Sequence, residues 1–340
     1  MLDRRTLLTA GTCSLTAAAL SPASRSAVLH RTGPAARAGA GDVARIRQMT
    51  GLFQQMDDRH GGGHARNVVA AYLTQEVAPL LRGTTGAARP DLFTAAAELA
   101  YLLGWMASDD LRTGLSQRYY IQAFRLAEEA DDPVKCATVL RSLSVQAVEL
   151  GRGRQGLELA EAAGSMLGTR APLRTRAWVT GMRAEAVAAA DQDHGRARRL
   201  LAEAESHLER ADSRPRDEWT GDYQRSSYEH QIGLTLGELG NWSRAEKHFQ
   251  ASMDTRDPAE RRSLTLVGVR LAHAQLRQRR PEQAARTLLD LRENLVGVSS
   301  GRIRNHLKDI HASWRPYRTE EKVGEADELL LDILQPAKNR

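Results

Sequence analysis

Residues 98–163 decide the fold. They read ELAYLLGWMAS (98–108), LSQRYYIQAFRLAEEADDP (115–133), TVLRSLSVQAVELG (138–151) and GLELAEAA (156–163). Small residues stand at Gly104 and Ser116, then at Ser144 and Gly156, each pair 12 positions apart. Ala123 and Ala163 follow seven positions later. Small side chains at fixed helical intervals let paired helices approach closely, so the stretch reads as a repeated helical hairpin.

The pattern continues downstream. First small positions fall at Gly104, Ser144, Ala184, Gly233 and Ala272, and second ones at Ser116, Gly156, Ala197, Ala245 and Ala284. Four residues after each second position comes a filler: Tyr120, Ala160, Leu201, Phe249, Leu288. Seven after it come Ala123, Ala163, Ala204, Ser252 and Leu291, of which the last breaks the rule. Successive hairpins step by 40, 41, 48 and 39 residues. The long step contains 209–215, which reads as an inserted loop. Glycine inside a helix costs about 1 kcal/mol against alanine, so Gly104 and Gly233 are expected where a neighbour comes close.

Composition agrees. The 340-residue chain is 41% hydrophobic but only 5% aromatic, as suits alanine- and leucine-sealed helices. No alternating β-branched run marks a strand. The expected fold is all-α: a tetratricopeptide-like α-solenoid, with a period longer than the usual 34. Residues 42–82 read as an N-terminal helical hairpin, 91–296 as five tetratricopeptide-like hairpins and 302–335 as capping helices. The triple glycine Gly61-Gly62-Gly63 reads as a turn, since neither a strand nor a GxxxxGK[ST] pattern accompanies it.

Residues 1–41 differ, reading as a flexible segment. Arg4-Arg5 followed by a mildly apolar run gives a weak twin-arginine-like outline. The run is too short and polar to span a bilayer. The net charge of +6 is spread along the chain, as solvated helix faces would give, so no direct nucleic-acid contact is expected. The two cysteines form no CxxC pair.

Several phrases, GLFQQMDDRHGGGHAR (51–66), AELAYLLGWMASDD (97–110), QRYYIQAFRLAEEADD (117–132) and LRSLSVQAVELG (140–151), resemble the tetratricopeptide sensor region of actinobacterial Xre-type helix-turn-helix transcriptional regulators. The resemblance runs from about Leu2 to the C-terminus. It implies a cytoplasmic regulatory or sensor solenoid; the residues themselves add the expectation of a non-enzymatic protein that binds a peptide or protein partner in its groove, with a homodimer possible. The helix-turn-helix of those regulators has no counterpart in residues 1–41. DNA binding is therefore carried over to no residue, and either a separate partner or a start upstream of Met1 would supply it.

Chemistry is sparse. No HExxH, GxSxG, P-loop or GxGxxG pattern occurs. The pairs Asp57-Asp58, Asp109-Asp110 and Asp131-Asp132 read as turn markers, and no metal, cofactor or catalytic residue is assigned. The expected working surface is the concave groove lined by the first helix of each hairpin. Its candidates are Tyr101, Trp105, Arg141, Trp178, Glu185, His230 and His273, with Arg118 and Tyr119 beside the filler Tyr120. Trp, Tyr and Arg are the usual anchors for a peptide; the competing reading has the tryptophans filling gaps between repeats. Export by the twin-arginine route as a binding or assembly protein is the alternative function, and a DNA-binding regulator the third.

Overall fold

A computed structural model describes residues 38–168, 171–211 and 223–335. The twin-arginine outline at Arg4-Arg5 lies outside them, as does most of the inserted loop. Among the described residues all regular structure is helical.

The N-terminal part comprises α1 (Ala40–His60), α2 (Gly62–Tyr72), a π turn (Leu73–Val77) and α3 (Ala78–Gly83). Five hairpins follow: α4 (Arg89–Asp109) with α5 (Thr113–Glu129), α6 (Pro133–Glu149) with α7 (Gly153–Leu167), α8 (Leu173–Asp191) with α9 (His194–Glu209), α10 (Arg225–Glu238) with α11 (Trp242–Asp254), and α12 (Arg261–Arg277) with α13 (Pro281–Asp290). The chain ends in α14 (Arg292–Gly297), α15 (Gly301–Ser313) and α16 (Glu321–Leu334).

Local chemistry sets these boundaries. Asp132, Asp193, Asn241 and Ser300 each accept a hydrogen bond from the amide three residues on, capping α6, α9, α11 and α15. Inside every hairpin the turn places one residue in the left-handed region: Leu111, Gly151, Gln192, Gly240 and Arg279. Each stands five positions before the second small residue, so the turns repeat with the 40, 41, 48, 39 spacing of the sequence pattern.

The small positions do what their spacing predicts. Ser116 Oγ donates to the Gly104 carbonyl (2.8 Å), and Ser144 Oγ to that of Gly156 (2.7 Å). A Cβ on Gly104 would stand 2.6 Å from the Tyr120 ring, and one on Gly233 2.5 Å from Phe249. The glycine on the first helix thus makes room for the aromatic filler on the second. The exception at Leu291 has the same logic in reverse: its methyl lies 2.2 Å from where a Gly268 Cβ would be, so the small partner has moved to the other helix.

The array does not stay open. It curls until its last elements touch its first. The Ser299 amide donates to the His60 carbonyl (2.7 Å), and Ser300 Oγ donates to Asp109 Oδ1 (2.9 Å), whose other oxygen accepts from the Gly62 amide (3.0 Å). Arg262 reaches Asp57 (3.2 Å) and Asp58 (3.1 Å), over two hundred residues away in sequence. Arg66 faces Asp110 at 3.6 Å.

Two expectations change accordingly. The triple glycine is a packing junction as well as a turn. A Cβ on Gly61 would meet the Ser299 carbonyl at 2.3 Å, and one on Gly62 the Met106 carbonyl at 2.4 Å. Gly61 also has a positive φ of 88°, which only glycine adopts freely. The pairs Asp57-Asp58 and Asp109-Asp110, besides marking helix ends, hold the two ends of the array together.

Candidate ligand-binding chamber

Curling forms a half-open chamber of about 610 Å³, within the roughly 300–1,000 Å³ typical of small-ligand sites. The first helix of every hairpin supplies one face to it, at the spacing expected of residues one or two helical turns apart. Helix α4 gives Tyr101 and Trp105, α6 Arg141, Val145 and Glu149, α8 Trp178 and Glu185, α10 Ser227, His230, Gln231 and Leu234, and α12 Arg262, Leu266 and Arg270. Gln54, Gln55, Asp57, Asp58 and Arg59 close one side from α1, and Arg302 reaches in from α15.

Aromatic rings and guanidinium groups alternate along the wall. Arg141 lies over Trp178 at 4.4 Å, and both Arg262 and Arg302 lie 5.4 Å from the Trp105 ring. Such cation–π contacts fix the guanidinium planes and leave their edges for hydrogen bonding. Both tryptophans remain half-buried. Tyr101 Oη shares a 2.7 Å hydrogen bond with Ser142 Oγ, and the Trp178 and Tyr223 rings are 6.5 Å apart.

Charges in the wall are mostly paired. Glu149 takes both Arg270 (3.3 Å) and Arg302, and Arg256 takes Glu260 (2.6 Å). Arg270 also donates to His230 Nε2 at 2.6 Å. Burial and then the Arg270 charge hold His230 well below the usual imidazole range, so the neutral ring is the acceptor. Arg270 is pushed down to about 10 by burial and by Arg302, which leaves it charged at neutral pH. Glu185 accepts from Gln231 Nε2. Burial raises its carboxyl, against the pull of that hydrogen bond and of Arg270 and Arg141. Asp57 is raised to about 7, first by burial; Arg262 opposes this, while Asp109 and Asp58 add to it.

Six of the nine sequence candidates meet in the chamber: Tyr101, Trp105, Arg141, Trp178, Glu185 and His230. Three do not line it. Arg118 and Tyr119 sit on α5, a second helix, where Arg118 is exposed and Tyr119 is buried in the core. His273 is on a first helix but packs edge-on against Trp242 at 5.4 Å. The wall also contains Asp57, Arg256, Arg262, Arg270 and Arg302, which repeat spacing alone does not single out. Among the described residues, no three His, Cys, Asp or Glu side chains converge as a metal site would require. No helix among them is long and apolar enough to cross a membrane.

No protein-family model matches the chain, and no curated protein matches it. Two solved structures are similar to it at 10% identity. One is a Rap protein complexed with competence and sporulation factor (TM-score 0.48, covering 86% of this chain and 96% of that one). The other is the apo form of the quorum sensor NprR from B. thuringiensis (TM-score 0.40, covering 87% and 98%). The chain is a tetratricopeptide-like α-solenoid whose ends meet beside a half-open chamber.

Proposed function

We propose that the protein is a non-enzymatic sensor that takes a short peptide, free or as a segment of a partner protein, into this chamber. Occupancy then shifts the closure of the array or its dimerisation. The observation that carries the reading is the wall itself: matching faces of five first helices line one chamber, and four of them bring tryptophan, tyrosine or arginine to it. A ligand touching several repeats at once binds one curvature better than another and so shifts the population toward it. The resemblance of the sequence to regulator sensor regions supports a role in transcriptional regulation in the cytoplasm. A mature N-terminus between Ser21 and Ala27 in exported material would support the twin-arginine route instead.

The test is panning of a randomised short-peptide library against the full chain, followed by affinity measurement on the double variant Trp105→Ala, Trp178→Ala. Enriched peptides are expected to lose about tenfold or more in affinity, while the melting temperature falls only slightly because both rings are half-buried. A large loss of stability with unchanged affinity would assign both rings to packing. Failure to enrich any sequence would reject the peptide reading.

A further inference from the structure

Among the buried arginines of the chamber wall, one differs from the rest. Arg256, Arg262, Arg270 and Arg302 each face a carboxylate. Arg141 is only 8% exposed, yet among the described residues no carboxylate lies within ion-pair distance of it. Its terminal nitrogen reaches Gln231 Oε1 at a long 3.4 Å, and its Nε donates to nothing. A buried guanidinium left this way is costly unless an anion completes it.

A second buried donor shares the spot. Among the described residues Tyr223 Oη has no hydrogen-bond partner. It lies 3.2 Å from the point a Gly181 Cβ would occupy, and Gln231 Cγ lies 3.0 Å from the same point. The missing side chain at Gly181 therefore lets Tyr223 and Gln231 pack together against α8. Gln231 is held in turn by Glu185, and Trp178 fixes the Arg141 plane.

We propose that Arg141 and Tyr223 form a carboxylate subsite that anchors the ligand. The inference rests on the peptide reading and names the group by which the peptide is held. The guanidinium offers two parallel N–H groups to a planar carboxylate, the geometry of the strongest charged hydrogen bonds, and the phenol supplies a third donor. Glu185, one side chain away behind Gln231, disfavours a dianion such as phosphate by like-charge repulsion. The carboxylate comes from a peptide C-terminus or from an Asp or Glu side chain.

The experiment uses affinity selection on the full chain with synthetic pentapeptide pools. The pools are free-acid, C-terminally amidated and phosphorylated, and a parallel panel contains small free carboxylic acids. Wild type is compared with Arg141→Gln, Arg141→Lys and Tyr223→Phe. Retained peptides are expected to carry a carboxylate. Loss of retention on amidation identifies the C-terminus as its source; retention of amides only when they contain Asp or Glu identifies the side chain. Arg141→Gln is expected to weaken retention at least tenfold, and Arg141→Lys and Tyr223→Phe less. Arg141→Gln should melt no lower than wild type, because it removes an uncompensated buried charge; a purely structural arginine would melt lower. Peptides retained regardless of carboxylate, or equally by Arg141→Gln, overturn the subsite and leave the peptide reading standing. Preference for the phosphorylated pool also overturns it. If no peptide is retained, small acids bound by wild type but not by Arg141→Gln uphold the subsite and reject the peptide reading. No binding in either panel overturns both.

Discussion

Gly51 and Gly104 are both helical glycines, in opposite surroundings. A Cβ on Gly51 would meet nothing within 4 Å, whereas one on Gly104 would press into Tyr120. Gly51→Ala is therefore expected to raise stability by about 0.5–1 kcal/mol through helix propensity. Gly104→Ala is expected to lower it by roughly 1–3 kcal/mol through overpacking. Urea denaturation of the two variants checks both signs; a stabilising Gly104→Ala would mean that the ring opposite simply moves aside. At this scale the sequence is readable. The same intervals that place Gly104, Ser116 and Tyr120 against one another also fix which face of each first helix is left over, and that face holds Tyr101, Trp105, Arg141, Trp178 and Glu185. Arg118 and Tyr119 escape the rule because Ser116 and Tyr120 turn α5 toward its partner helix, away from the chamber. The phase of α12 puts Arg262, Leu266 and Arg270 in the wall, and His273 against Trp242 instead.

Between elements, the contacts that matter have no local signature. Burial works against the charge of Arg262 on α12, but its pairing with Asp57 and Asp58 on α1 and the nearby charge of Asp109 on α4 hold its proton more firmly than usual. Burial first, with Asp109 and Asp58 adding to it, outweighs the opposing Arg262 charge and raises Asp57 to about 7. In the unfolded chain it releases its proton near the ordinary carboxylate value, so between those limits the folded state binds more protons. The stabilisation is complete at acid pH and is lost as pH rises through about 7. Asp57→Asn keeps a neutral group at every pH. The melting temperature of the variant should gain on wild type between pH 5 and 8. Parallel curves would show that Asp57 ionises as an ordinary carboxylate. Nothing in the run Asp57-Asp58 distinguishes this from a turn, because the partner is two hundred residues away and arrives only when the array has curved.

At the scale of the whole molecule, closure turns a groove into a chamber. An open solenoid contacts only its neighbours in sequence. Here Glu149 on the second hairpin holds Arg270 and Arg302 from the far end, and the chain near Ser299 hydrogen-bonds to α1. The repeat spacing specifies stacked hairpins with a concave face, but the degree of curl is a sum of small rotations at every junction, including the one after the inserted loop. The sequence therefore indicates the face and leaves the closure unread. Closure is what brings the arginines of α12 and α15 to the aromatic residues of α4.

The Ser299 amide reports closure without any mutation. It lies between helices α14 and α15, and its hydrogen bond is to His60 across the junction, so its protection depends on the two ends meeting. Hydrogen exchange resolved at that amide in the intact protein should show protection comparable to the interior of α15. Exchange as fast as in an unstructured loop would mean that the ends do not meet and that the chamber does not form.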